Sequence, residues 1–203
     1  VCDYTNNKVR KIATDGTIST VAGTGSTTSS GDGGAATAAG VRAPVDLAVA
    51  PDGVSIYVLE ASGFRVRKFT IGGTISTVVG TGTTGLTGDG GAANAARIGT
   101  AYGLGIGSNG DLYIGDSTNA RVRKVTASSG VIDGTQTITT VAGIGGGAVS
   151  AGFSGDGGAA TSAQLNGPRG IYVESSTTFY IADFTNNRIR KVSSGTITTV
   201  AGS

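Results

Sequence analysis

Three short segments set a carboxylate among glycines: Gly31-Asp32-Gly33-Gly34, Gly88-Asp89-Gly90-Gly91 and Gly155-Asp156-Gly157-Gly158. Successive glycines let main-chain N–H groups form a nest, and a carboxylate beside it can hold a cation. One carboxylate per segment is few for calcium, which takes ~6–8 oxygens. No cofactor is therefore expected, with calcium the one candidate kept open. The competing expectation is that each Asp accepts backbone N–H groups and caps a short Ala-rich turn such as 35–39. In a second set, Asp3, Asp116 and Asp183 stand three or four residues before Asn7, Asn119 and Asn187, with Lys or Arg next. Such a set can line up as a ring of carboxylates open to a ligand. The competing expectation is a hairpin whose Asx bonds and a neighbouring Arg satisfy the Asp. Arg65, Arg67, Arg121, Arg123, Arg188 and Arg190 recur in Arg-x-Arg pairs. They can bind an anionic polymer, or pack their stems and pair their heads with Asp or carbonyls. The candidate interaction residues are Asp32, Asp89, Asp156, Asp116, Asp183, Arg121 and Arg188.

Catalytic chemistry finds little to work with. The sequence has no His, which removes imidazole acid–base catalysis and Ser-His-Asp triads. Cys2 is the only cysteine, without a partner for a disulfide or an imidazole to activate it. Gly80-Thr81-Gly82-Thr83-Thr84-Gly85 spells a dinucleotide fingerprint, but that motif needs a helix directly after it. The corresponding stretches at 23–28 and 143–148 lose the third Gly.

The elements that position these residues are repeated. Thr-Val-(Ala/Val)-Gly endings fall at 20–23, 77–80, 140–143 and 199–202, at intervals of 57, 63 and 59 residues. The units are 24–80, 81–143 and 144–203, with 1–23 the tail of another. Each full unit predicts four short strands: an apolar one (45–49, 103–106, 170–173), then 56–58, 112–114 or 179–181 with aromatic and β-branched residues. The third begins at the Arg pair (65–69, 121–125, 188–192), and the fourth alternates apolar with Thr or Ser (75–78, 138–141, 197–200). Turns such as Pro51-Asp52-Gly53 and Ser108-Asn109-Gly110 separate the first two. Tandem four-stranded antiparallel units describe an all-β propeller, with the first strand lining the axis and the fourth at the rim. At least three full blades and part of a fourth are expected. Val1–Thr5 aligns with Ile181–Thr185 inside a strand, so a longer chain is expected and the blade count is a lower bound. In a meander the second-to-third hairpin and the connection into the next unit emerge on one face, where a site is expected.

The segments Gly167-Pro168-Arg169-Gly170-Ile171, Phe179-Tyr180-Ile181-Ala182-Asp183 and Asn187-Arg188-Ile189-Arg190-Lys191 resemble the NHL repeat of β-propellers. The 152–161 connection, echoed at 31–37 and 88–94, is similar to a loop of long-repeat bacterial and extracellular NHL proteins. Glu60 replaces Asp in the second unit, where Ser62-Gly63-Phe64 stands for the Asn, and Thr100-Ala101-Tyr102 lacks the Pro of the third. The resemblance implies a fold but no single activity, since NHL propellers include scaffolds, receptor ectodomain parts, RNA binders and a few lyases. Those lyases rely on His, which this sequence lacks.

The net charge is +2, and basic residues are spread over repeats rather than blocked, so nucleic acid is not an expected partner. No apolar run reaches the ~20 residues of a membrane helix. Gly, Ser and Thr in the connections, with few Lys, lead to an extracellular or cell-surface location as the expectation. The expected function is non-catalytic: a scaffold, adhesion or self-assembly unit that binds protein partners or copies of itself, filaments included. The alternatives are a propeller lyase or hydrolase with a carboxylate or calcium site on the loop face, and a module that binds carbohydrate or an anionic polymer.

Overall fold

The computed structural model describes residues 1–203. The strands are β1 (Cys2–Asp3), β2 (Lys8–Ile12) and β3 (Ile18–Ala22) in a first sheet. The second holds β4 (Pro44–Val49), β5 (Ile56–Glu60), β6 (Arg65–Phe69) and β7 (Ile75–Val79). The third holds β8 (Gly103–Ile106), β9 (Leu112–Asp116), β10 (Arg121–Val125) and β11 (Ile138–Ala142). The fourth holds β12 (Pro168–Val173), β13 (Thr178–Asp183), β14 (Arg188–Ser193) and β15 (Thr196–Ala201). Neighbours within each sheet are antiparallel and consecutive, so each sheet is a meander. The first strands of successive sheets lie against each other, β4 on β8 and β8 on β12, which is the inner position of propeller blades.

Second-strand residues alternate between two interfaces, as a period of two requires. Tyr57 and Leu59 face the third sheet, packed with Leu112, Ile114 and Ile98, while Val58 between them joins Val9, Phe69 and Ile75 toward the first. Tyr113 turns the other way, onto Phe179 at a ring distance of 4.9 Å, within the cluster between third and fourth sheets. Each sheet thus contributes one apolar face to the neighbour on either side, and the core is a series of inter-sheet layers.

A bulge recurs in every sheet. Opposite the second residue of each Arg-x-Arg or Lys-x-Arg segment the outer strand carries one extra residue, Val21, Val78, Val141 or Val200. A bulge re-aims the side chains beside it, and here it brings Thr77 and Thr140 level with Arg67 and Arg123. The single-turn 3-10 segments at 117–119 and 184–186, inside the second-to-third hairpins, were not expected from the sequence. Each is closed by a left-handed residue, Ala120 at φ 52° and Asn187 at φ 53°.

That closure sets which Asn each Asp reaches. Asp183 bonds the amide of Asn186, not Asn187, and Asp3 bonds Asn6, not Asn7, as Asp116 bonds Asn119. Asn187 and Asn7 serve as the left-handed corner instead. In the second sheet the pair is exchanged as a unit. Glu60 is one methylene longer, and a Cβ at Gly63 would collide with its carboxylate and lie 2.6 Å from the Ser29 hydroxyl. Gly63→Asn alone is therefore expected to lower stability, and Glu60→Asp with it to restore part of the loss. A coupling of about 1 kcal/mol is expected, read from urea midpoints of the two single variants and the double. Additive losses would refute the exchange.

Candidate functional site

Each connection into a sheet runs out, pairs with that sheet's outer strand, and returns. Gly33 N–H donates to Ile75 O and Ile75 N–H to Gly34 O. The same two bonds join Gly90 and Gly91 to Ile138, and Gly157 and Gly158 to Ile197. The glycine segment is thus a short extra strand that covers an otherwise open sheet edge.

The arginine of the strand inside closes over it. Arg67 Nε and Nη2 both donate to Asp32 Oδ1, at 2.9 and 2.6 Å, and Thr77 Oγ1 donates to Oδ2 at 2.7 Å. Its remaining donors reach both arms of the connection, Nη2 to Ser30 O at 3.1 Å and Nη1 to Gly40 O at 3.2 Å. Arg123 repeats the pattern with Asp89, Thr87 O and Arg97 O, and Arg190 with Asp156, Ser154 O and Gln164 O. The guanidiniums are fully buried while the three Asp side chains are 52, 39 and 37% exposed. A planar fork suits this task, because one rigid cation satisfies a carboxylate and two carbonyls on separate arms.

The acid at the end of the second strand completes the cluster. Glu60 meets Arg67 at 3.0 Å and Asp183 meets Arg190 at 3.3 Å, both acids fully buried. Asp116 instead takes Arg121 Nε at 3.3 Å, the Asn119 amide and the Gly99 N–H. Arg121 also reaches Asp89 at 3.6 Å and Leu86 O at 2.9 Å. Arg188 stands apart, stacked 3.8 Å from the Phe153 ring centroid and bonded to Asn186 O. The structure therefore brings six of the seven sequence-derived candidates into arginine–carboxylate clusters. The expectation that the glycine-flanked Asp caps a turn is corrected: the 3-10 turns at 36–38, 93–95 and 160–162 have no side-chain cap. The stretch 80–85 is followed by loop, not helix. Asn119 and Asn186 bond carbonyls of the incoming connections, Gly85 O and Gly152 O, so hairpins and connections do share one end of the sheets.

The titration behaviour follows from these contacts. Burial pulls the Asp89 carboxyl up, but the Thr140 hydroxyl and the Arg123 and Arg121 charges outweigh it and hold it below the usual 3.8. Asp156 is likewise held down, burial being outweighed by Arg190, whose Nε and Nη2 both donate to it. A carboxyl depressed in the folded state adds stability above its unfolded pKa and loses it as pH falls through the folded one. The double variant Asp89→Asn, Asp156→Asn is expected to show a shallower acid loss of stability as pH falls below about 4, measured by urea midpoints at each pH; an unchanged slope would refute it. Glu60 and Asp116 have the opposite sign, since burial raises them against the pull of their hydrogen bonds and arginines. Burial, then the Asp46 charge, pushes the Cys2 thiol up to about 11, so it is no thiolate at neutral pH. No group of three or more His, Cys, Asp or Glu side chains converges to hold a metal ion.

A family model described as the Teneurin NHL domain matches residues 109–203, which hold the last hairpins and their Arg pairs. Over those residues the repeats match NHL repeats, and the sheets are those of a β-propeller. Solved structures agree on the fold of these NHL blades. A virginiamycin B lyase from Staphylococcus aureus is 20% identical with a TM-score of 0.56, over 98% of this chain and 50% of that one. An auxiliary nutrient binding protein from Bacteroides thetaiotaomicron is 19% identical with a TM-score of 0.66, over 93% of this chain and 43% of that one. The chain thus spans half or less of the length of these two proteins, and at such identities the likeness is one of fold. No curated protein matches the sequence.

Proposed function

We propose that these NHL blades form a non-catalytic, extracellular or cell-surface module that works as a scaffold, adhesion or self-assembly unit, without a bound cofactor. One observation carries the reading: both terminal sheets offer side chains whose counterparts elsewhere lie between sheets. Ile12 and Ile18 are 58 and 54% exposed, whereas Phe69 and Ile75 at the same repeat positions are buried. At the other end Tyr172 and Ile189 are exposed around an apolar groove with Tyr180 and Ile181, and Val200 is exposed on the outer strand. Contiguous apolar faces of this kind favour protein contact. The polar candidates give weight to a non-catalytic role, because six of the seven have their charges paired with other side chains. The Gly, Ser and Thr of the connections support a surface location. Electron microscopy of natively purified protein tests the proposal; fibres, rings or defined oligomers are expected, and monomers across the accessible concentration range would overturn it.

A specific contact favours carbohydrate or an anionic polymer as a second reading. Arg169 lies 3.6 Å from the Phe184 centroid and 4.9 Å from that of Tyr102, both rings exposed. Exposed rings can stack on sugars while the cation meets an acidic group. A panel of neutral and acidic glycans tests it, with loss of binding in Arg169→Ala expected and absence of any binder overturning it.

A further inference from the structure

Arg10 is the repeat counterpart of Arg67, Arg123 and Arg190, as its register against Thr20 beside the Val21 bulge shows. Those three use Nε to grip the Asp of a glycine segment. Arg10 Nε is buried and has no hydrogen-bond partner, and its only ion pair is a long one to Asp3, 3.7 Å at Nη1. The edge beside it is open too. Ile18 pairs with Ile12 as Ile75 pairs with Phe69. In that register the Ile75 N–H and C=O point outward to Gly34 and Gly33, so those of Ile18 point outward with no segment on them. Ile12 and Ile18 lie exposed where Phe69 and Ile75 are buried with Ala36 and Ala39 of their connection.

We propose that the edge of the first sheet is a docking site for the Gly-Asp-Gly-Gly-Ala-Ala segment of a further repeat of this kind, held by β-augmentation. This rests on the assembly reading above and names the partner chemistry for one of its two faces. Every feature of the site has an occupied copy elsewhere in the molecule. The segment's Asp meets Arg10 Nε and Nη2, and its two central glycines bond the Ile18 N–H and C=O. Its alanines cover Ile12 and Ile18, and the carbonyls on its two arms take the remaining guanidinium donors. An added strand supplies main-chain affinity, and the half-buried Arg10 guanidinium supplies specificity for Asp. The three segments within the chain are not available for this, since each is held by its own arginine.

The test uses the whole chain and a synthetic peptide with the sequence of residues 29–41, which contains every loop atom that Arg67 contacts. Saturable binding by calorimetry is expected, with the Ile18 amide gaining protection from hydrogen exchange. A peptide carrying Asp32→Asn is expected to bind about tenfold or more weakly, as is the chain variant Arg10→Met, the loss a charge-assisted pair carries. A second variant, Ile18→Pro, removes an N–H that the sheet itself does not use and is expected to abolish binding while thermal unfolding stays cooperative. No binding, or equal binding of the Asp and Asn peptides, would overturn the proposal. Assembly of the chain that excess peptide does not inhibit would overturn this docking site while leaving the assembly reading standing; peptide binding by a chain that never assembles would do the reverse.

Discussion

Arg190→Met is expected to lower unfolding stability by about 3–5 kcal/mol, the cost of breaking one side of a buried ion pair. Three losses add up at one position. Asp183 is fully buried and keeps only the Asn166 N–H and the Asn186 amide once Arg190 is gone. The Ser154 and Gln164 carbonyls lose the donor that ties the two arms of the connection. Asp156 is partly exposed and can turn to water, so it adds least. Asp156→Asn is accordingly expected to cost about 1 kcal/mol at most. Arg190→Lys should fall between, because an ammonium cannot span a carboxylate and two separated carbonyls. Urea denaturation of the three variants supplies the ranking. An Arg190→Met midpoint equal to that of Asp156→Asn would show that the buried Asp183 does not depend on the cation.

Gly103→Ala is expected to cost about 1–3 kcal/mol, the range for forcing extra volume into a packed interior. The inner strands β8 and β12 approach so closely that a Cβ at Gly103 would overlap the Arg169 carbonyl. The atom in the way is backbone, so no rotamer change relieves it. Gly115, behind Gly103 in the pairing, meets the same carbonyl. The third sheet's inner strand, Gly103-Leu104-Gly105-Ile106, thus trades side chains for backbone proximity, and the Ser117 hydroxyl bonds Pro168 O across the same junction. The Tyr113–Phe179 contact lies in the same interface but away from this point, so near-ultraviolet circular dichroism of the folded variant should stay close to that of the parent. A Gly103→Ala chain of undiminished stability would mean that the fourth sheet shifts freely against the third.

The strands were legible because two signals coincide in each, an apolar period of two and a position within the repeat. The third strands begin at the Arg pairs as the sequence predicts, at Arg65, Arg121 and Arg188. The 3-10 turns were hidden: Ser117-Thr118-Asn119 and Phe184-Thr185-Asn186 have ordinary loop composition, and their helical turn follows from the left-handed corner after them. The role of the glycine-flanked Asp was hidden for another reason. Its partner is an arginine on the third strand that follows it in the same unit, and local reasoning looks for partners within a few residues. A signal for it existed, since the Asp-to-Arg separations are 35, 34 and 34 residues while the units differ more in length. The extra length of the third unit sits after its arginine, in the 126–137 excursion whose Ile132 N–H bonds the Tyr57 hydroxyl.

The glycine segment belongs to the sheet that follows it, not to the strand it grows from, and this sets where such a gene can be duplicated. A copied stretch bounded like residues 24–80 carries the carboxylate, the edge-covering glycines, the bulged outer strand and the arginine that closes over them. It can be spliced into an array with each clamp intact. A copy bounded at the sheet, such as 44–79, arrives with an arginine that keeps its buried Glu but lacks the glycine-flanked Asp, and with an outer strand left uncovered. The physical unit of inheritance is therefore offset from the visible blade by one connection.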